Sequence, residues 1–202
     1  MKYKGILNNL HSITVMNRRV HRLSVALSDM FDSSGSVIDV GCGDGTVALS
    51  IQSFRPDLQF HGVDVFMRPN VAIPAKVYDG TNIPYEDNAF DYAMVVDVLH
   101  HTDDAAAVLS ECLRVAKRGV IIKDHVLQGL AAEKTLRFMD WVGNRGHDVR
   151  LPYNYLTSDE WSRLFHDTNC ELAQRRSRLK LYPAPFSWLF DRQLHFVARV
   201  CK

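Results

Sequence analysis

Apolar and polar positions follow two alternating periods over most of the chain. Apolar or β-branched runs at 37–40, 58–65, 76–78, 93–96 and 120–123, each bounded by turn residues, predict five strands. Helical spacing predicts a helix from Val47 to Phe54. A second helix starts near Thr102 and Asp103 and carries Ala105, Val108, Leu109, Cys112 and Ala116 inward, with Gly119 just past its end. Strands alternating with helices imply a mostly parallel sheet.

Both flanks read differently. Before the first strand, Val20, Leu23, Leu27 and Met30 recur at helical spacing beside Arg18, Arg19 and Arg22. This predicts an amphipathic helix packed on the sheet with a solvated basic face; a lid over the substrate, or a surface for an anionic group, is the alternative. After Asp124 the rhythm breaks. A helix is expected over 130–142, then a loop with Gly143, Asn144, Gly146, Pro152 and Asn154. Thr157-Ser158-Asp159-Glu160 is a capping box, so a helix with Trp161, Leu164 and Phe165 follows. Leu179 and Leu181 alternate with Arg178 and Lys180, which predicts strand six, and 194–200 predicts strand seven. Residues 183–190 are too apolar for an idle loop and read as core cover, with a substrate wall or a dimer contact as alternatives.

The transition at 37–46, Val-Ile-Asp-Val-Gly-Cys-Gly-Asp-Gly-Thr, is a buried strand turning into a glycine loop and a helix N-terminus. Such a turn lies at the carboxyl end of an open α/β sheet, where ligands bind. A dinucleotide fingerprint starting at Gly41 would place its third glycine at 46, but Thr46 stands there and the glycine comes early, at Gly45. No P-loop ending is present.

Composition narrows the class. The 202 residues carry a net charge of +1, which gives no sign of a groove that tracks nucleic-acid phosphates. Cys42, Cys112, Cys170 and Cys201 form no C-x-x-C pair and, with no signal peptide evident, read as free thiols in a reducing, cytoplasmic compartment. No apolar run reaches membrane-spanning length.

Further residues complete a pattern. Asp64 ends the second predicted strand about twenty residues past the glycine loop, where a carboxylate can accept from a ribose diol; a helix cap or turn is the alternative. Then come the segment from Asp79-Gly80 to Asp91, the sequence Asp97-Val98-Leu99-His100-His101, and Leu113 to Gly119. With the glycine loop and Gly62-Val63-Asp64, these pieces resemble class I S-adenosylmethionine-dependent methyltransferases, of the type 11 group that includes ubiquinone/menaquinone-biosynthesis methyltransferases. The resemblance covers roughly residues 35 to 125.

The resemblance implies an α/β fold: a Rossmann-like, seven-stranded, mostly parallel sheet with an antiparallel last strand and helices on both faces. It implies one domain over 1–202, with an N-terminal helical segment (1–34) and a cofactor-binding core (35–125). A helical insert or lid (126–156) and a C-terminal helix with an antiparallel strand pair (157–202) follow. It implies S-adenosyl-L-methionine as cofactor and S-adenosyl-L-homocysteine as product. Gly41, Cys42 and Gly43 would lie along the methionine part, Cys42 only as a small residue, and Asp39 would orient the amino group through water. Asp64, with Val65 beside it, would hold the ribose. Asp79 and Gly80 would meet the adenine, Asp97 would lie beside the methionine part, and Asp91 would fix the turn into strand four. The chain departs from the usual pattern in having no long helix between strands two and three, where Phe66-Met67-Arg68-Pro69-Asn70 is short and proline-broken.

Methyl transfer from a sulfonium needs a base only when the acceptor must lose a proton. His100, His101, Asp124 and His125 are the candidates; capping, packing or turn formation are their other roles. The same four could hold a metal, but none is expected. The Asn/Asp-Pro-Pro-Tyr/Phe motif of many amino methyltransferases is missing, since Asp97-Val98-Leu99-His100 takes its place. The expected acceptor is therefore a small, partly apolar molecule methylated on O or C, with no nucleic-acid partner. Phe138, Trp141, Tyr153 and Tyr155 either wall it or belong to the core. A nicotinamide-dependent (NAD(P)) oxidoreductase and a non-catalytic, partner-binding protein of the same fold are the competing readings. The molecule is expected to be a monomer or a homodimer.

Overall fold

The computed structural model describes residues 17–144 and 151–202. Its centre is β1 (Gly35–Val40), whose last four residues are buried because strands flank it on both sides. β2 (Leu58–Asp64) and β4 (Phe90–Val96) pair with it in parallel. β3 (Ala75–Val77), β5 (Ala116–His125), β6 (Glu171–Arg176) and β7 (His195–Cys201) complete a seven-stranded sheet of order β3-β2-β1-β4-β5-β7-β6, antiparallel only at β7. The order reverses between β1 and β4, which is the point where such sheets open a ligand crevice.

Alternating strand residues feed two cores. On one face, Ile38, Val95, Ile122 and Phe196 pack under α3 (Ala105–Val115) and α5 (Ser158–Asp167). On the other, Val37, Met94, Ile121 and Val197 meet α1 (helical over 17–28) and α2 (Thr46–Phe54). The expected basic helix thus packs through Leu23 and Leu27, and Arg18 and Arg22 are exposed. The capping box forms as expected, with Thr157 Oγ1 accepting from Glu160 N and the Glu160 carboxylate accepting from Thr157 N. No helix occurs between β2 and β3. Among the described residues, no helix is long and apolar enough to cross a membrane.

Several expectations change. β5 starts at Ala116, so α3 ends at Val115 and Gly119 lies inside the strand. There its φ is +150°, and a Cβ would stand 2.4 Å from the Val200 carbonyl oxygen. Gly119 therefore admits the neighbouring β7 rather than ending a helix. Strand six is Glu171–Arg176, not 178–181. As an exposed edge strand it has no apolar alternation to read, whereas Leu179 and Leu181 enter the core as irregular chain. The segment 183–190 ends in a short helix, α6 (Ser187–Phe190), and does not cover the core: Trp188 is 76% exposed. The insert helix is α4 (Ala132–Asn144); Gly146 and residues 1–16 lie outside the described residues.

Trp161 joins α5 to the sheet end. It is buried, packs edge-on to Phe196 at 4.9 Å, and its indole N–H donates to the His125 carbonyl at 2.9 Å. Trp161→Ala removes a large core side chain and leaves that carbonyl unpaired. A loss of about 3–5 kcal/mol is expected in urea unfolding; a loss below about 1 kcal/mol contradicts this packing role.

Candidate active site

The loops after β1, β2, β3, β4 and β5 all emerge at one edge of the sheet. The first is the glycine loop. Gly41 has φ +73°, and a Cβ there would meet Val98 at 2.4 Å, so only glycine lets the loop lie against the turn after β4. The Asp64 carboxylate braces this loop: Gly43 N donates to Oδ2 at 2.7 Å and Phe66 N to Oδ1 at 3.0 Å. Beneath it, Asp39 is buried as a residue, with its carboxyl oxygens still reached by solvent, and it makes no hydrogen bond to any described side chain or backbone group. Burial, with the nearby Asp64 charge, pushes its carboxyl up to about 8. Burial and the charges of Asp39 and Asp64 push the Cys42 thiol up to about 12, so Cys42 is no nucleophile at neutral pH.

The second and third loops meet. Gly80 has φ +85°, and a Cβ there would touch Val65 at 3.1 Å. Val65 is itself 61% exposed, leaving an apolar step beside Asp64. Asp79 closes a turn of its own, accepting from Thr81 N at 2.8 Å and Asn82 N at 2.7 Å; these bonds hold its carboxyl below the usual range. Asp91 accepts from Ser36 N at 2.9 Å and ties the start of β4 to β1.

Next to this crevice lies a buried cluster of charges at the ends of β4 and β5. Asp97 adopts φ +57° and is paired with Lys123, a fully buried lysine, through Oδ1, and with Arg19 of α1 at 3.0 Å through Oδ2. Burial opposes its charge, but Lys123, His125 and Arg19 outweigh that and hold it well below the usual range. His100, in the 3-10 turn Leu99–His101, has Nδ1 2.6 Å from Asp124 Oδ1 and Nε2 3.2 Å from Asp140 Oδ2. The two carboxylates overcome burial and raise His100 to about 10. Burial and the His100 charge lower His101 to about 4. Tyr155 stacks on His100 at 5.4 Å and donates to Asp140.

The structure therefore brings His100, His101, Asp124 and His125 together, and it brings Asp39, Gly41, Cys42, Gly43, Asp64, Val65, Asp79 and Gly80 to the same sheet edge. Asp97 stands beside the histidine cluster, and its neighbour Val98 lies against Gly41 of the glycine loop. Arg19, Lys123 and Asp140 were not legible as site residues. Arg19 resembled one more basic residue on a helix face. Asp140 did leave a signal, since it continues the inward row of Ala132 and Leu136 at helical spacing. Of the four aromatic residues expected to form a wall, Tyr155 is buried at the cluster, Tyr153 packs beneath Arg137, and Phe138 and Trp141 stand half exposed on α4. A cavity of about 490 Å³ opens between the turn after β4 and residues 153–156, lined by Leu99, Thr102, Asp103, Tyr153, Asn154 and Tyr155.

Comparison with known proteins agrees with this layout. A model of the methyltransferase domain matches residues 10–175. The ubiquinone biosynthesis O-methyltransferase of Colwellia psychrerythraea is 29% identical over 133 residues, covering 55% of this chain and 53% of that protein. The ubiquinone/menaquinone biosynthesis C-methyltransferase of Desulfotalea psychrophila is 33% identical over 97 residues, covering 43% and 39%. The chain thus spans about half, or less, of the length of these relatives. A protein solved in complex with the Haloferax volcanii Trm112 methyltransferase activator shares the fold at TM-score 0.68, 15% identity and coverage of 95% and 93%.

Asp39 has a measurable signature. Its folded pKa, about 8, lies above the value of roughly 4 for an unfolded aspartate. Between the two values the folded chain binds more protons than the unfolded one, so stability is lost as pH rises through that window. The thermal midpoint of the wild-type chain is expected to fall between pH 5 and 8, and Asp39→Asn to flatten that fall. Parallel curves for the two proteins would contradict an unpaired buried carboxyl.

Proposed function

The chain belongs to the methyltransferase-domain family, and from that premise we propose that it transfers the methyl group of S-adenosylmethionine to an oxygen or carbon of a small, partly apolar acceptor. The observation that carries this reading is the glycine loop braced by Asp64, with the unpartnered Asp39 carboxyl beneath it. A buried carboxyl without a partner favours a cationic ligand, and the amino-acid end of this cofactor carries an ammonium. Gly41 and Gly43 leave the backbone open to it, with Asp39 acting through water. Asp64 has further acceptor capacity for the ribose hydroxyls. Val65 and Gly80 offer an apolar seat for the adenine, and Asp79 faces its amino group. Asp97 lies beside the methionine part, its charge already balanced by Lys123 and Arg19.

The cofactor supplies a methyl group already activated on a sulfonium, so the chain's own work is alignment and exclusion of water. The cavity beside Leu99 and Tyr155 accepts the second substrate, and its mixed lining, with Leu99 and Leu156 beside Thr102, Asp103 and Asn154, suits a partly apolar molecule with polar groups. When the acceptor must lose a proton, His100, His101, Asp124 and His125 form the group that deals with it. The names of the relatives span O-, C- and N-methylation; the missing Asn/Asp-Pro-Pro-Tyr/Phe motif is what favours oxygen or carbon over nitrogen here.

Titration calorimetry with S-adenosylhomocysteine is expected to show one site per chain. Asp64→Ala is expected to weaken it by about ten- to a hundredfold, the effect of removing two charge-assisted hydrogen bonds. Affinity is also expected to fall as pH drops below about 8, because Asp39 must be ionised to face the ammonium. Stabilisation by NADH alone would favour an oxidoreductase instead. Methylation of a metabolite extract with labelled cofactor identifies the acceptor.

A further inference from the structure

Among the described residues, eight buried side-chain nitrogen or oxygen atoms have no hydrogen-bond partner, and five of them belong to His100, His101, Asp124, His125 and His195. Buried polar groups are normally paired, so this concentration marks a place where the polypeptide leaves coordination to something else. The His100 ring is held in one orientation by Asp124 on Nδ1 at 2.6 Å. Its Nε2 then stands 3.2 Å from Asp140 Oδ2 but out of line for a hydrogen bond. His101 lies against it, with ring centroids 4.0 Å apart. His100, His101 and Asp140 each offer a ligand atom, and these atoms lie within 4.8 Å of one another. Two ligands around a cation at about 2.1 Å are about 3 Å apart at right angles and about 3.4 Å apart in a tetrahedron, and His100 Nε2 and Asp140 Oδ2 stand 3.2 Å apart.

We propose that His100, His101 and Asp140 bind a divalent first-row transition-metal ion, which displaces the Nε2 proton of His100 to solvent on binding. Two imidazoles and one carboxylate suit such an ion better than magnesium or calcium, which prefer all-oxygen shells. The surroundings have the form of a metal centre. Asp124 holds the far nitrogen of His100, and Tyr155 holds Asp140. A second grouping, Asp97, His100, Asp124 and His125, is disfavoured because Asp97 already carries the Lys123 ammonium and because Asp124 holds His100 through Nδ1, which leaves the Nε2 side of that ring to face His101 and Asp140. Tyr155, which donates to Asp140 and stacks on His100, also lines the cavity beside Leu99, so one side chain separates the three ligands from the proposed acceptor space. A dication there lowers the pKa of an acceptor hydroxyl. With His100 and His101 engaged as ligands, they act on the acceptor proton through the metal and not as bases: the hydroxyl proton leaves to solvent, and the new O–C bond forms as the C–S bond of the sulfonium breaks. This last role rests on the methyl-transfer reading; binding of the metal does not.

The test uses the full chain, stripped with a chelator and dialysed. Zn²⁺ titration is expected to show one tight equivalent. His101→Ala and Asp140→Asn should each weaken it at least a hundredfold, and Asp124→Asn ten- to a hundredfold. With Co²⁺, the wild-type chain is expected to give visible d–d bands without a thiolate charge-transfer band, a readout that needs no variant. S-adenosylhomocysteine binding by the stripped protein is measured alongside. Its absence would count against the methyl-transfer reading and leave the metal result standing. No tight equivalent in the wild-type chain, a thiolate band, or unchanged affinity in folded His101→Ala and Asp140→Asn overturns the metal site.

Discussion

The ion pair between Asp97 and Lys123 is the constraint on which the site end of the molecule depends. Both residues sit where β4 and β5 reach the sheet edge, and Lys123 is wholly buried. Neither charge is tolerable alone at such a place, because an unpaired buried ion costs several kcal/mol. Arg19 adds a second cation from α1, so the N-terminal helix is attached to the site by charge as well as by Leu23 and Leu27. Buried pairs of this kind contribute less to stability than to holding one arrangement of neighbouring elements. Here they hold the turn that carries Val98, and Val98 in turn packs against the glycine loop.

A division of labour runs through the sheet edge. On the β1–β2 side the chain offers open backbone and carboxylates with spare accepting capacity: Gly41, Gly43, Asp39 and Asp64. On the β4–β5 side it offers a dense polar cluster whose members restrain one another. His100 lies between Asp124 and Asp140, Tyr155 locks Asp140, and His101 remains half-buried at the rim. Opposed shifts in the adjacent imidazoles, up for His100 and down for His101, follow from this asymmetry. Neighbouring groups driven apart in this way are a mark of functional sites. The cavity opens on the second side, where Tyr155 lines it and stacks on His100.

Residues 35 to 125 were largely legible because each signal there is local. Strand, glycine loop and helix N-terminus follow one another in sequence, and Gly62-Val63-Asp64 sits at a fixed distance from the loop. Boundaries failed where a neighbour overrode the local pattern. Gly119 resembled a helix stop, but β7 lies against it. The edge strand Glu171–Arg176 carried no periodicity because neither side is buried, while Leu179 and Leu181 mimicked a strand although they only plug the core. The apolar stretch at 183–190 resembled buried chain, yet leaves Phe186, Trp188 and Leu189 at the surface.

By itself the sequence determined the parallel α/β core, the place of the glycine loop and the carboxylates that follow it, since these depend on short-range order and fixed spacing. It also marked His100, His101, Asp124 and His125 as chemically interesting. Only the tertiary structure decided what surrounds them. Arg19, Lys123 and Asp140 come from three separate elements, and no local pattern specifies that they meet. Burial and charge pairing are properties of packing, so the protonation of each histidine and the partner of each carboxylate emerge only when α1, β5 and α4 close around the same point.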